Sequence, residues 1–191
     1  MLSNKIIVID PGHSGRPDPG VVSCDGYEEA SIAWKIACIV QDILMSRWNA
    51  KVTLTKQSEF DPTSDSLFSR YTIANDIEAD CFVSIHLNGA EQTQANGTET
   101  FHSHGSKLGS LLATQIQKQL IACLGLTDRG IKQANFAVLR YTDMPAVLTE
   151  VCFLSNLQDT SFITKPHNVT KAAEAIAQGI VDYFYYIDKG E

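Results

Sequence analysis

The stretch IIVIDPGHSG, residues 6–15, sets a buried strand against an exposed turn. Ile6 to Ile9 is a run of branched apolar residues, the composition of a central parallel strand covered on both faces. The strand, KIIVID (5–10), closes on Asp10, Pro11 and Gly12 supply a turn, and His13 stands three residues past the end of the strand. A strand that ends by presenting an imidazole is the pattern of an open α/β sheet, whose sites lie in the loops beyond the carboxyl ends of its strands.

Reading outward, strand and helix signals alternate. After a loop rich in glycine and proline, Ile32, Ile36, Ile39, Val40, Ile43 and Leu44 recur at three- and four-residue spacing, so a helix from Glu29 to Trp48 carries one apolar face. KVTLT (51–55) reads as a strand, SLFSRYTIANDIEA (66–79) as a helix and CFVSIHL (81–87) as another core strand. Strands are expected at TETFH (98–102), FAVLR (136–140) and AVLTEVCFL (146–154), with helices near 106–124 and 168–187. The last helix carries Val169, Ala173, Ile176, Ile180 and Phe184 on one stripe. The expectation is one α/β domain over residues 1–191, a largely parallel twisted sheet of about six strands with helices on both faces. No repeat, low-complexity tract or linker marks a second module.

Composition narrows the function. With 191 residues, 44% apolar and 19% charged, the chain has the make-up of an ordinary globular domain, and no run approaches the ~18 apolar residues of a spanning helix. A formal charge of −7 argues against nucleic acid or an anionic membrane as partner. The N-terminal MLSNKIIVID lacks the length and cleavage pattern of a secretion signal. Cys24, Cys38, Cys81, Cys123 and Cys152 are odd in number and contain no C-x-x-C pair, so reduced, mostly buried thiols are expected rather than a disulfide framework or a zinc knuckle.

Three polar residues sit awkwardly at one edge of this sheet: His13 after the first strand, His86 near the end of CFVSIHL, and Glu150 inside the apolar AVLTEVCFL. A carboxylate in such a strand must be paired, hydrogen-bonded or bound to a metal. With Glu28 or Glu29 at the start of the first helix, the set is two imidazoles and two carboxylates. Two His and one Glu with an open fourth position is a catalytic zinc set, and the remaining Glu can serve as general base. Each residue alone has an ordinary explanation: a loop histidine, an ion pair, an acid at a helix N-terminus. The HExxH pattern is absent, so the metal reading rests on scattered residues converging in space.

IDPGHSG, EASIAWKIA, LFSRYTIAND, ADCFVSIHLNG, GTETFH, DRGIKQANFAVLR, MPAVLTEVCFLSN and AIAQGIVDYF resemble, in order, the successive motifs of the zinc-dependent N-acetylmuramoyl-L-alanine amidases of the amidase-3 type, from about Ile6 to Phe184. The resemblance implies cleavage of the amide between N-acetylmuramic acid and the L-alanine of the peptidoglycan stem peptide. It implies one zinc on His13, Glu29 and His86, with Glu150 as the catalytic carboxylate. Glu29 is preferred to Glu28 because EASIAWKIA then places Ile32, Trp34, Ile36 and Ala37 in the family's register. Asp10 is a candidate acceptor for the ring N–H of a ligand histidine, and Asn88 a candidate cleft residue by strand alternation. The substrate lies outside the cytoplasmic membrane and no wall-binding domain is visible. That points to a shortened form or to leaderless, phage-type release.

Three departures from the family pattern stand out. Arg16 and Pro17 replace the more usual glycine, Cys152 stands where glycine is common, and only about fifteen residues follow His86 before the next helix region, as in members without an internal blocking helix. Alternation puts Cys152 on the same side as Glu150, which opens a rival reading as a cysteine-dependent peptidoglycan peptidase. A further alternative is a catalytically silent muropeptide-binding module, although a pure binder has no chemical need for all four of His13, Glu29, His86 and Glu150. A closed structural zinc site would favour cysteine ligands.

Overall fold

The first strand, β1 (Ile6–Pro11), is buried from Ile7 onward, with Ile7 and Ile9 in the core of one sheet face and Val8 in that of the other. Burying each such side chain contributes roughly 1.5–3 kcal/mol. The computed structural model describes residues 2–62 and 66–190; Met1 and Glu191, the ends of the expected domain, lie outside them, as do residues 63–65. The remaining elements are α1 (Glu29–Trp48), β2 (Lys51–Leu54), α2 (Leu67–Asp76), β3 (Cys81–Asn88), β4 (Thr98–Ser103), α3 (Lys107–Leu124), β5 (Asp128–Ala134), α4 (Ala137–Arg140), β6 (Ala146–Phe153), α5 (Leu157–Ile163) and α6 (Pro166–Lys189).

Among the described residues the sheet has six strands, in the order β2-β1-β3-β6-β4-β5. β2, β1, β3 and β6 are mutually parallel; β4 runs antiparallel to β6 and parallel to β5, so the sheet is mixed but mostly parallel. Helices α1, α3 and α6 share the larger core, to which α1 contributes the expected stripe of Ile32, Ile36, Val40, Ile43 and Leu44. On the other face, Ala74 of α2 and Val138 and Leu139 of α4 pack on Val8, Phe82 and Leu148. The expected α/β architecture with helices on both faces is present.

Two elements differ from the sequence expectation. FAVLR does not form a strand: the amides of Leu139 and Arg140 donate to the Phe136 carbonyl, closing the short helix α4. Its β-branched and aromatic content suggested a strand, but Val138 and Leu139 are both buried in the same core, which a strand's alternation does not allow. The sixth strand is instead DRGIKQA, an edge strand with exposed positions and few apolar residues, so it lacks a hydrophobic signature.

Both flanks of the central pairing are irregular. His86 pairs with Glu150 but Asn88 with Phe153, so β6 carries one extra residue. The groups displaced there find side-chain partners: Thr98 Oγ1 donates to the Val151 carbonyl at 2.7 Å, and the Phe153 amide donates to Asp159 at 2.9 Å. Likewise Thr98 pairs with Asp128 but Thr100 with Ile131, and Gly130 takes the left-handed conformation (φ +76°) that this second bulge requires.

Candidate metal centre

The carboxyl ends of β1, β3 and β6 share one edge because these strands are parallel, and the site forms there. After β1 the Gly12 amide donates to the Ile85 carbonyl at 2.9 Å, tying the turn to β3. His13 adopts a left-handed backbone (φ 60°), a sparsely populated conformation for a residue with a Cβ. Its carbonyl accepts from the buried Lys56 Nζ at 3.1 Å, which helps hold it there.

Glu29, buried in the first turn of α1, lies between the two imidazoles. Its Oε2 is 3.1 Å from His13 Nε2 and its Oε1 2.8 Å from His86 Nδ1. The amides of Val21 and Leu87 donate to those oxygens at 2.9 and 3.0 Å, so backbone fixes the carboxylate from two sides. One ligand atom from each of His13, Glu29 and His86 lies within 4.8 Å of the others. The space is made by backbone: a Cβ on Gly20 would fall 2.5 Å from the His13 ring and 2.6 Å from Glu29 Oε2, and one on Gly12 2.6 Å from the His86 ring.

Protonation reflects this packing. Burial, the largest single effect, pulls the His13 imidazole down, but Glu29 and Asp18 together outweigh it and raise it to about 9. Burial pushes Glu29 up, while hydrogen bonds from the two imidazoles bring it well below the usual carboxylate range. The lone pairs now sharing protons are those a dication would take, because metal and protons compete for the same atoms. Two imidazole nitrogens and a carboxylate fit zinc.

Glu150 faces this cluster from β6, in register with His86. Its Oε2 is buried and has no hydrogen-bond partner among the described residues, which costs on the order of 1–3 kcal/mol and calls for a functional explanation. Burial pushes its pKa up to about 7. The cleft has a volume of about 770 Å³, and its further lining includes Asp18, Val21, Gly89, Leu67, Phe136 and Val138.

The remaining expected residues are placed as follows. Glu28 is the N-terminal cap of α1 and lies outside the cluster. Asp10 is buried beneath the cleft but accepts from Arg70 Nη1 (2.7 Å), Ser84 Oγ (2.6 Å) and Thr55 Oγ1 (2.5 Å), with no bond to a histidine. The orienting carboxylate is Asp18, whose Oδ2 is 2.7 Å from His13 Nδ1. Sequence reading passed over Asp18; its signal was an acid five residues after His13 in a Pro/Gly loop. Asn88 lines the cleft as expected, and its Nδ2 donates to Glu99 Oε1 at 2.8 Å. Glu99 lies directly across from Glu150 on β4, and its Oε2 accepts from both Arg129 Nε (2.6 Å) and Lys132 Nζ (2.5 Å). Cys152 corrects the alternation argument: the β6 bulge turns it away from Glu150 into the large core, fully buried, and burial pushes its thiol well above the ordinary range.

Residues 7–182 match the sequence profile of the amidase-3 family, N-acetylmuramoyl-L-alanine amidase. The chain belongs to this family of amidases. The family is zinc-dependent, in keeping with the donor set above. The chain is 38% identical over 182 residues to the N-acetylmuramoyl-L-alanine amidase LytC of Bacillus subtilis (strain 168), covering 94% of this chain and 36% of that protein. It is 36% identical over 186 residues to an endolysin of Bacillus phage SPP1, covering 94% of this chain and 66% of the endolysin. A crystal structure of an N-acetylmuramoyl-L-alanine amidase from Clostridium difficile 630 superposes with a TM-score of 0.89 at 31% identity, covering 99% of this chain and all of that one. The chain thus spans about a third of the length of LytC and the whole of that crystallised amidase.

Proposed function

We propose that this chain hydrolyses the amide between the lactyl group of N-acetylmuramic acid and L-alanine in peptidoglycan, with one zinc on His13, Glu29 and His86 and Glu150 as general base and acid. The observation that carries this reading is the convergence of His13, Glu29 and His86 beside a carboxylate oxygen left without a partner, within the amidase fold.

A bound zinc supplies Lewis acidity, polarising the scissile carbonyl and acidifying water. The chain's residues do the rest. Asp18 accepts the Nδ1 proton of His13, which leaves Nε2 with its lone pair toward the site and fixes the ring. The Val21 and Leu87 amides keep Glu29 in place when its proton-sharing partners change. Glu150 takes a proton from water as the water oxygen attacks the carbonyl carbon, and delivers it to the L-alanine nitrogen as the C–N bond breaks. The products are a lactyl carboxylate and a stem peptide with a free amine.

We read the chain as a single catalytic domain acting on the cell wall. Its net charge of −7 does not suit nucleic acid, and no helix among the described residues is long and apolar enough to cross a membrane. Similarity to a phage endolysin supports phage-type release. The thiol rival has no support in the burial of Cys152. The test is digestion of purified peptidoglycan with end-group analysis: new L-alanine amino termini without new reducing sugars are expected, and release of any other terminus would refute the assignment.

A further inference from the structure

We infer that Arg129 and Lys132, gathered by Glu99 at the cleft margin, form a recognition corner for the free α-carboxylate of the stem peptide's second residue. This rests on the amidase reading above and names what that site selects.

Arg129 and Lys132 are three residues apart on β5, so regular alternation would place them on opposite faces of the sheet. The bulge at Gly130 brings both to one face, where both bond the same oxygen of Glu99. One carboxylate would be satisfied by one cation; here two meet it, which leaves the corner with net positive charge. Both are partly exposed, with side chains 34% and 39% accessible, whereas Glu99 beneath them is buried. Arg129 Nη2 has no hydrogen-bond partner among the described residues, and Lys132 uses one of three protons. Donors therefore remain for a ligand carboxylate, the pairing in which such bonds are strongest.

The surroundings give these charges a purpose. Asp10, Asp18, Glu29 and Glu150 line the cleft, and its lining guanidinium, Arg70, is buried against Asp10 and the Pro11 carbonyl. A zinc held by His13, Glu29 and His86 would be offset by Glu29 and Asp18, and Arg70 is engaged by Asp10, so a second carboxylate on the peptide needs a cation of its own. The corner adjoins the cleft through Asn88, which lines it and bonds Glu99 Oε1. Reach agrees as well. Neighbouring strands are about 4.8 Å apart, so side chains over β4 and β5 lie roughly 5–10 Å from Glu150. In the stem peptide the second residue is a glutamate joined onward through its side chain. Its α-carboxylate is one residue from the scissile nitrogen, about 5–7 Å at a Cα spacing of 3.8 Å.

The experiment compares two disaccharide tripeptides that differ only in carrying an α-carboxylate or an α-carboxamide on the second residue. The parent should favour the carboxylate in kcat/KM by roughly ten- to hundredfold, chiefly through KM. Arg129→Gln and Lys132→Met, singly and together, should reduce this preference toward unity while leaving the carboxamide substrate within about threefold of the parent. Calorimetry of the two free tripeptides with the Glu150→Gln protein should show the same preference in Kd. A parent that treats both substrates alike overturns the inference whether or not the variants fold, as do variants that slow both substrates equally. Failure to cleave either substrate would instead sink the amidase reading on which it stands.

Discussion

Replacing Gly20 by Ala puts one methyl group against the centre of the site. Its added carbon would lie 2.5 Å from the His13 ring and 2.6 Å from Glu29 Oε2, whereas unstrained carbon contacts lie near 3.5 Å, so one ligand or the backbone must retreat by about 1 Å. Zinc sites tolerate about 0.2 Å in ligand distance, so the displacement exceeds that allowance several-fold. The loss in zinc affinity should be at least the ten- to hundredfold typical of disturbing a ligand's supporting contacts. Gly20 also has φ +68°, which costs an alanine about 1–2 kcal/mol on its own. Gly26 separates the two effects: its φ is +83°, but nothing among the described residues lies within 4 Å of an added Cβ. Both variants should melt a few degrees lower, at about 2–4 °C per kcal/mol for a chain of this size. Only Gly20→Ala should lose zinc, in competition with a chromophoric chelator, and amidase activity with it. A Gly20→Ala protein that keeps its zinc affinity within threefold of the parent would refute the argument from backbone approach.

Glu150→Gln should lower turnover roughly a hundred- to ten-thousandfold with zinc content unchanged, whereas His13→Ala, Glu29→Gln and His86→Ala should lose metal and activity together; metal analysis beside end-group release distinguishes the roles, with Glu28→Gln as the unaffected control. Chelation should abolish activity and added zinc restore it, while iodoacetamide should modify exposed Cys24 and Cys123 without effect on rate, since Cys152 is buried with a raised pKa; inactivation that tracks Cys152 labelling would return the case to the thiol. Burial pushes Glu99 up, but Lys132 and Arg129 together hold it below the usual carboxylate range. The unfolded chain therefore binds this proton first as pH falls. The resulting stability is complete above the ordinary glutamate value of about 4.3 and is lost as pH falls through the lower folded value. The melting difference between parent and Glu99→Gln should accordingly be full at pH 7 and shrink below about pH 4; a difference that grows on acidification would contradict the pairing.

Much of this protein was legible in its sequence because its strongest signals are local. Four apolar residues before Asp10, the periodic face of α1 and the long stripe of α6 each declare their element by spacing alone, and five of the six strands follow from them. His13, His86 and Glu150 stood out because each interrupts or closes an apolar strand, where a polar group needs a reason. The first turn of α1 offered two acids, and the one that fits the family's register is the one lying between the imidazoles. Tertiary structure alone decided whatever depends on counting residues across strands. β5 is polar because it lies at the sheet edge, so no periodicity marks it, and FAVLR has strand composition yet closes a helical turn over the second core. One extra residue in β6 turns Cys152 from the cleft into the core, and one in β5 turns Arg129 and Lys132 onto the same carboxylate. Asp18 takes the part expected of Asp10 for a similar reason. The acid nearest to His13 along the chain points beneath the sheet edge to Arg70, and the loop folds back to bring the farther one to the ring. Local pattern fixes which face a residue takes within a regular element; a bulge or a returning loop resets that face, and only the packed chain determines where the reset occurs.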